Sequence, residues 1–145
     1  NGAKVKNLDL AVNVTQSLKN EIDRNVELVI LHGFTRNEIV QMLNAADVLL
    51  VTSIHEGSPN IVKEAMACNL PIVSVPCGDV SERLLNVHPS KVSSYSVEDI
   101  CFDLKSVIES GVRSNGREMI LEQGINQQSI RKSIIQLYNE MLNNY

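Results

Sequence analysis

Two glutamates, Glu56 and Glu64, frame a turn and a helix start in the segment HEGSPNIVKEAMACNLPIVSVPCGD, His55 to Asp79. Ser58 followed by Pro59 reads as the beginning of that helix. A serine hydroxyl accepts from the free amides of a first turn, and proline suits the first helical position because it has no amide hydrogen to leave unpaired. The amides of Asn60 and Ile61 then lack intrahelical acceptors and, with the positive end of the helix dipole, offer a site for an anion. Gly57 lets a ligand come close to the backbone. Glu64 falls on the Asn60 face, roughly 7–8 Å along the axis from Pro59 at 1.5 Å per residue. A carboxylate there can accept hydrogen bonds from both hydroxyls of a ribose while a diphosphate occupies the helix end. Glu56 lies on the far side of the phosphates, where the hydroxyls of a transferred group would be read. Geometry alone leaves the plainer alternative open, in which both glutamates are solvated charge on an ordinary helix.

This chemistry needs a strand ending just ahead of Glu56. Short β-branched runs alternate with helical patterns along the chain, the signature of βα units around a parallel sheet. In an open sheet of that kind, ligands sit beyond the carboxyl ends of the strands. Strands are expected at VELVILH (Val26–His32), read as fully buried, at DVLLVTS (Asp47–Ser53) and at PIVSVP (Pro71–Pro76). The unbroken apolar character of the last asks for cover on both faces. A shorter strand is expected around Lys91 to Tyr95. Helices are expected over Asn7–Asn20, after the capping box TRNE (Thr35–Glu38), over Val80–Leu85, and from Ser96 to about Ser110, where Gly111 ends it. Two more follow, split at Gly124. The last carries Ile130, Ile134, Leu137, Tyr138 and Met141, a stripe read as facing the core. The opening NGAKVKN reads as a loop where a doubly wound domain would begin on a strand, so the sheet is short of strands and a fragment is expected.

The 145 residues suit one domain, and no linker, repeat or low-complexity tract divides them. Lys+Arg 13 against Asp+Glu 17 gives a net charge of -4 without a block of like charges, which disfavours a nucleic-acid partner. Apolar runs such as Val48–Val51 are far below the roughly 20 residues that cross a bilayer, and no leader opens the chain. Cys68, Cys77 and Cys101 form no C-x-x-C pair and read as free, buried thiols in a reducing cytoplasm. His32 and His55 read as satisfied by neighbouring backbone, and His88 as a surface residue. No metal motif appears, and no G-x-G-x-x-G follows a strand.

HEGSPNIVKEAMACNLPIVSVPCGD resembles the donor-binding motif of the retaining GT-B glycosyltransferases of family 4, with its E-G-x-P/G-x-x-x-x-E-A-M-A pattern. NAADVLLVTS before it, IVSVPCGDVSERL after it, and the late ICFDLKSVIE with IRKSIIQLYNEML are similar to that family too. Nearly the whole chain is covered, most strongly from Val26 to Leu85.

The resemblance implies the carboxyl-terminal, Rossmann-like half of a two-domain enzyme, a parallel sheet flanked by helices with a helical carboxyl-terminal segment. It implies a nucleotide sugar held between the halves. Lys6, in VKNLDLA, matches the lysine that neutralises the diphosphate leaving group, and Glu56 would meet the donor sugar; these are the catalytic pair. Glu64 would take the ribose hydroxyls. The segment from Gly57 through Ser58, Pro59 and Asn60 to Ile61 would bind phosphates and sugar hydroxyls through the backbone amides it carries, proline having none, and Gly33 and Phe34 would contact the base. The implied partners are a nucleotide sugar, an amino-terminal acceptor domain and an acceptor glycan or lipid-linked glycan. Any association with the inner face of a membrane would run through that other half. The implied setting is polysaccharide or glycolipid assembly, with no metal. The chain departs from the family pattern in lacking the arginine that precedes the lysine, for which Lys4 is not an obvious substitute, and in lacking a first strand and the acceptor half. Two further readings are a nucleotide-sugar epimerase of GT-B fold and a non-catalytic nucleotide-binding module.

Overall fold

Alternating strand and helix signals become a three-stranded parallel sheet covered by helices in the computed structural model, which describes residues 5–143. In chain order the elements are α1 (Leu8–Glu21), α2 (Arg36–Ala45), β1 (Leu49–Val51), α3 (Asn60–Ala67), β2 (Ile72–Ser74), α4 (Val80–Arg83), β3 (Lys91–Val92), α5 (Val97–Ser110), α6 (Gly116–Glu122) and α7 (Gln127–Asn143). The strands lie in the order β1-β2-β3, with Leu49 opposite Ile72, Val51 opposite Ser74 and Val73 opposite Lys91. All three residues of the central β2 are buried, with α3 and α5 both packed on it, as its unbroken apolar run requires.

Helix ends follow their local chemistry. Thr35 accepts from the Glu38 amide while the Glu38 carboxylate accepts from the Thr35 amide at 2.7 Å, a complete capping box. Ser96 caps α5 through the Asp99 amide, and Gly111, at φ 61, takes the left-handed conformation that ends it. On α1 the Ala11, Val14 and Leu18 stripe turns inward against α5 while Val12 stays exposed. The inner face of α3 is Val62, Ala65 and Met66, essentially inaccessible to solvent. Burying the Val62 and Met66 side chains contributes about 1.5–3 kcal/mol each. Arg113, from the loop after α5, gathers the carbonyls of Leu43, Ala46 and Cys68 and so ties the carboxyl ends of α2 and α3 together.

Away from the start of α3, three segments differ from expectation in kind. Val26–His32 is not a strand: no backbone hydrogen bond among the described residues ties Val26–Leu31 to the sheet, and Val29 and Ile30 are about half exposed. Val26, Leu28, Val29 and Leu31 instead line a slot of about 330 Å³ together with Leu49 and Leu50 of β1 and Leu18 and Ile22. The segment has the composition of an inner strand, but among the described residues no strand pairs with it. Next, the opening is helical at Val5 and Lys6 rather than a loop, and Asn7, at φ 51, separates that turn from α1; Lys4 lies outside the described residues. Finally, the α7 stripe does not enter the core, since Ile130, Ile134, Leu137, Tyr138 and Met141 are all exposed. Among the described residues, no helix is long and apolar enough to cross a membrane.

Candidate functional site

The carboxyl end of β1 gathers the chemistry. Thr52 is buried and donates its hydroxyl to the carbonyls of Lys6 (2.9 Å) and Asn7 (3.2 Å), while the Ile54 amide donates to the Val5 carbonyl at 2.8 Å. These bonds fasten the turn ahead of α1 to the strand exit. They set the Lys6 ammonium against the Glu56 carboxylate in an ion pair, although the two residues are far apart in sequence. Glu56 is largely covered and Lys6 mostly exposed. The Lys6 hydrogen bond holds the Glu56 carboxyl below its ordinary value; partial burial opposes this and Ser53 assists it.

A lowered carboxyl contributes stability above its unfolded-state value and loses it as pH falls through the folded one. Lys6→Ala should therefore move the Glu56 titration upward toward the ordinary carboxylate range, as read by carboxyl-carbon NMR. An unmoved titration would mean that the pair does not form in solution.

Beyond Glu56 the chain turns through Gly57 and Ser58 into α3. The expected start is off by one residue: Pro59, at ψ 119, is the N-cap rather than the first helical residue, and Ser58 does not cap. Its hydroxyl donates instead to Asp79 at 2.7 Å. The start of α3 thus has no side-chain cap: the Val62 amide donates to the Pro59 carbonyl at 3.2 Å, and the amides of Asn60 and Ile61 have no acceptor among the described residues at the positive end of the helix dipole. Asn60 is exposed and Glu64 half-buried one turn on, without a side-chain hydrogen bond among the described residues. Val62, Ala65 and Met66 anchor the opposite face.

The structure therefore brings together Lys6, Glu56, Gly57, Ser58, Pro59, Asn60, Ile61 and Glu64 on one strand exit and one helix. Gly33 and Phe34 lie elsewhere along the chain, in the turn ahead of α2, where Gly33 takes φ 77; among the described residues no hydrogen bond joins them to this cluster. His32, His55 and His88 are exposed. Cys77 and Cys101 are buried free thiols with titration pushed up by that burial, while Cys68 is only partly covered. No group of three metal-ligating side chains occurs among the described residues.

Sequence reasoning missed a second loop that braces the first. Gly78, at φ 55, lies so close to the site turn that a β-carbon on it would stand 2.2 Å from the Gly57 carbonyl oxygen. The Asp79 amide donates to that same oxygen at 3.0 Å, and its carboxylate takes Ser58 and, at 2.8 Å, Arg83. Burial pushes the Asp79 carboxyl up, but the Ser58 and Arg83 hydrogen bonds outweigh it and leave the group lowered. The available signal was the Gly-Asp pair directly after β2, a turn composition placed at a strand exit. Thr52 gave no such signal, because a threonine near a strand end is commonplace.

This arrangement can hold an anion at the α3 amino end, with a cation and a carboxylate beside it and a second carboxylate one turn along. Comparison with curated protein sequences gives no match. Among solved structures, the chain is similar in fold to sucrose-phosphate synthase from Thermosynechococcus elongatus, with a TM-score of 0.72 and 18% identity. The likeness covers 90% of this chain and 34% of that one, so the chain spans about a third of that protein's length. The family described as glycosyl transferases group 1 matches residues 6–100, from Lys6 through both glutamates and the whole sheet to the first turn of α5. By that match, the chain belongs to the glycosyl transferases group 1 family.

Proposed function

We propose that the chain is the donor-binding, carboxyl-terminal part of a retaining glycosyltransferase that moves a sugar from a nucleoside-diphosphate sugar to a glycan or glycolipid acceptor. The observation that carries this reading is the Lys6–Glu56 ion pair set against the uncapped amino end of α3, with Glu64 one turn along it. Diphosphate enters at the α3 amides, the ribose hydroxyls donate to Glu64, and Glu56 meets the sugar. Donor phosphates compete with Glu56 for the Lys6 ammonium, so binding exchanges the internal ion pair for a lysine–phosphate contact. As the sugar departs, negative charge grows on the diphosphate, and Lys6 and the α3 dipole favour that state. These groups supply the needed positive charge from the protein, so the proposed reaction calls for no metal.

The remaining half of the enzyme belongs to the same proposal. The slot lined by Val26–Leu31 and β1 is the proposed place of a further strand, and the exposed α7 stripe offers a surface to a second domain that carries the acceptor. Polysaccharide or glycolipid assembly in the cytoplasm is the setting proposed, with any membrane contact made through that second domain.

Calorimetric titration with UDP, GDP and their common sugar conjugates tests the donor site directly. One nucleotide family should bind, and Glu64→Ala should weaken it roughly tenfold or more, because two hydrogen bonds to a charged group are lost. Absence of binding by every ligand at millimolar concentration, or equal affinity in the variant, would overturn the assignment.

A further inference from the structure

Local preference and observed structure disagree at the start of α3. Ser-Pro favours a serine N-cap with proline in the first helical position, yet Pro59 is extended and the helix begins one residue later. The cause lies on the neighbouring loop. Asp79 accepts the Ser58 hydroxyl at 2.7 Å with the same oxygen, Oδ2, that accepts from Arg83 at 2.8 Å. Its amide grips the Gly57 carbonyl at 3.0 Å, and Gly78 fits against the same turn with no room for a side chain. One residue thus pins the turn at two consecutive positions, through its side chain and its backbone.

We infer that Asp79 is a positioning residue that withholds the Ser58 hydroxyl from the amino end of α3 and so keeps that helix end open to the diphosphate of the donor. The inference rests on the donor-site reading above and adds the means by which the helix end is kept uncapped. A capping hydroxyl and a phosphate oxygen compete for the same amides, and a serine that capped α3 would satisfy internally what the ligand must satisfy. Capping would require Pro59 to turn from ψ 119 into the helical region, which its fixed φ of -65 already permits. What stops it is the bond to Asp79. Arg83, on the same carboxylate oxygen, offsets the negative charge that Asp79 would otherwise present beside an anion site.

The test pairs a ligand-free measurement with a titration. Amide hydrogen exchange at Asn60 and Ile61 is followed by NMR in the wild-type chain, in Asp79→Ala and in Ser58→Ala/Asp79→Ala, and each is titrated with UDP and GDP. In Asp79→Ala the released serine should cap the helix, slowing exchange at one of these amides and weakening nucleoside-diphosphate binding, each about fivefold, the range of an ordinary cap. The double variant should recover both, whereas a merely structural loss at Asp79 would persist in it. Unchanged exchange in Asp79→Ala, or no recovery in the double variant, overturns the inference whatever the nucleotides do. The expected exchange pattern with no binding of UDP or GDP by wild type would sink the donor reading while supporting the hold of Asp79 on Ser58. Asp79→Asn, which keeps the shape but loses the charge and the stronger acceptor, carries the same comparison if the alanine variants do not fold.

Discussion

Gly78→Ala should lower the unfolding free energy by about 2–4 kcal/mol. Two independent penalties combine there. The backbone sits at φ 55, where a side chain is strained, and the new β-carbon would meet the Gly57 and Glu56 carbonyl oxygens at 2.2 and 2.7 Å. Both obstacles are backbone, so no rotamer change can relieve them; either the 77–79 loop lifts or the site turn moves. Urea unfolding measures the first outcome, and nucleotide titration the second, since a displaced turn carries Glu56 and the start of α3 with it. Gly57→Ala is the control for stability, because a β-carbon there meets nothing within 4 Å. Equal stability in the two variants would show that the loops do not press together as described.

Gly116→Ala is expected to cost about 1–3 kcal/mol, against the usual direction for a glycine in a helix, where alanine is better by roughly 0.5–1 kcal/mol. Crowding decides the sign. Gly116 is buried at the start of α6, and a β-carbon would stand 2.7 Å from the Met66 α-carbon and 2.8 Å from its carbonyl oxygen. The two helices approach backbone to backbone at that point, and α3 is the helix that carries Glu64. Thermal or urea unfolding reads the cost. A stabilised variant would mean that α6 can slide outward freely, and then α3 would not be held from that side.

Where local physical signals are strong, sequence and structure agree. The Thr35–Glu38 box, the Ser96 cap, the Gly111 stop and the buried β2 run appear as read, because each is decided within a few residues. The glutamate-bearing turn and helix stand at the exit of β1, as the motif spacing required. Readings that depended on distant partners fared differently. Val26–Leu31 has a strand's composition, but a strand exists only when a neighbour supplies hydrogen bonds. The α7 stripe has the period of a packed helix, but period cannot say whether a partner is present in the same chain. Ser58 was misplaced for the same reason: its local preference is to cap, and a carboxylate far along the chain, Asp79, overrides it. The Lys6–Glu56 contact was likewise invisible to spacing, since it is made across the fold, where the Thr52 hydroxyl and the Ile54 amide hold the turn that carries Lys6.

The slot beside β1 has a consequence for how the molecule behaves among its own copies. Leu49 and Val51 spend their hydrogen-bonding groups on β2, as the Leu49–Pro71 and Val75–Val51 bonds show, so strand alternation turns the amide and carbonyl of Leu50 toward the slot. An apolar, unpaired strand edge is a template for intermolecular pairing, and proteins usually blunt such edges with proline, lysine or a bulge. Val48 to Thr52 contains none of the first two, with Asp47 alone standing as a charge at its entry. Pairing between copies through β1 is therefore the expected route of association once Val26–Leu31 parts from that edge, and light scattering against concentration is the measurement that checks it.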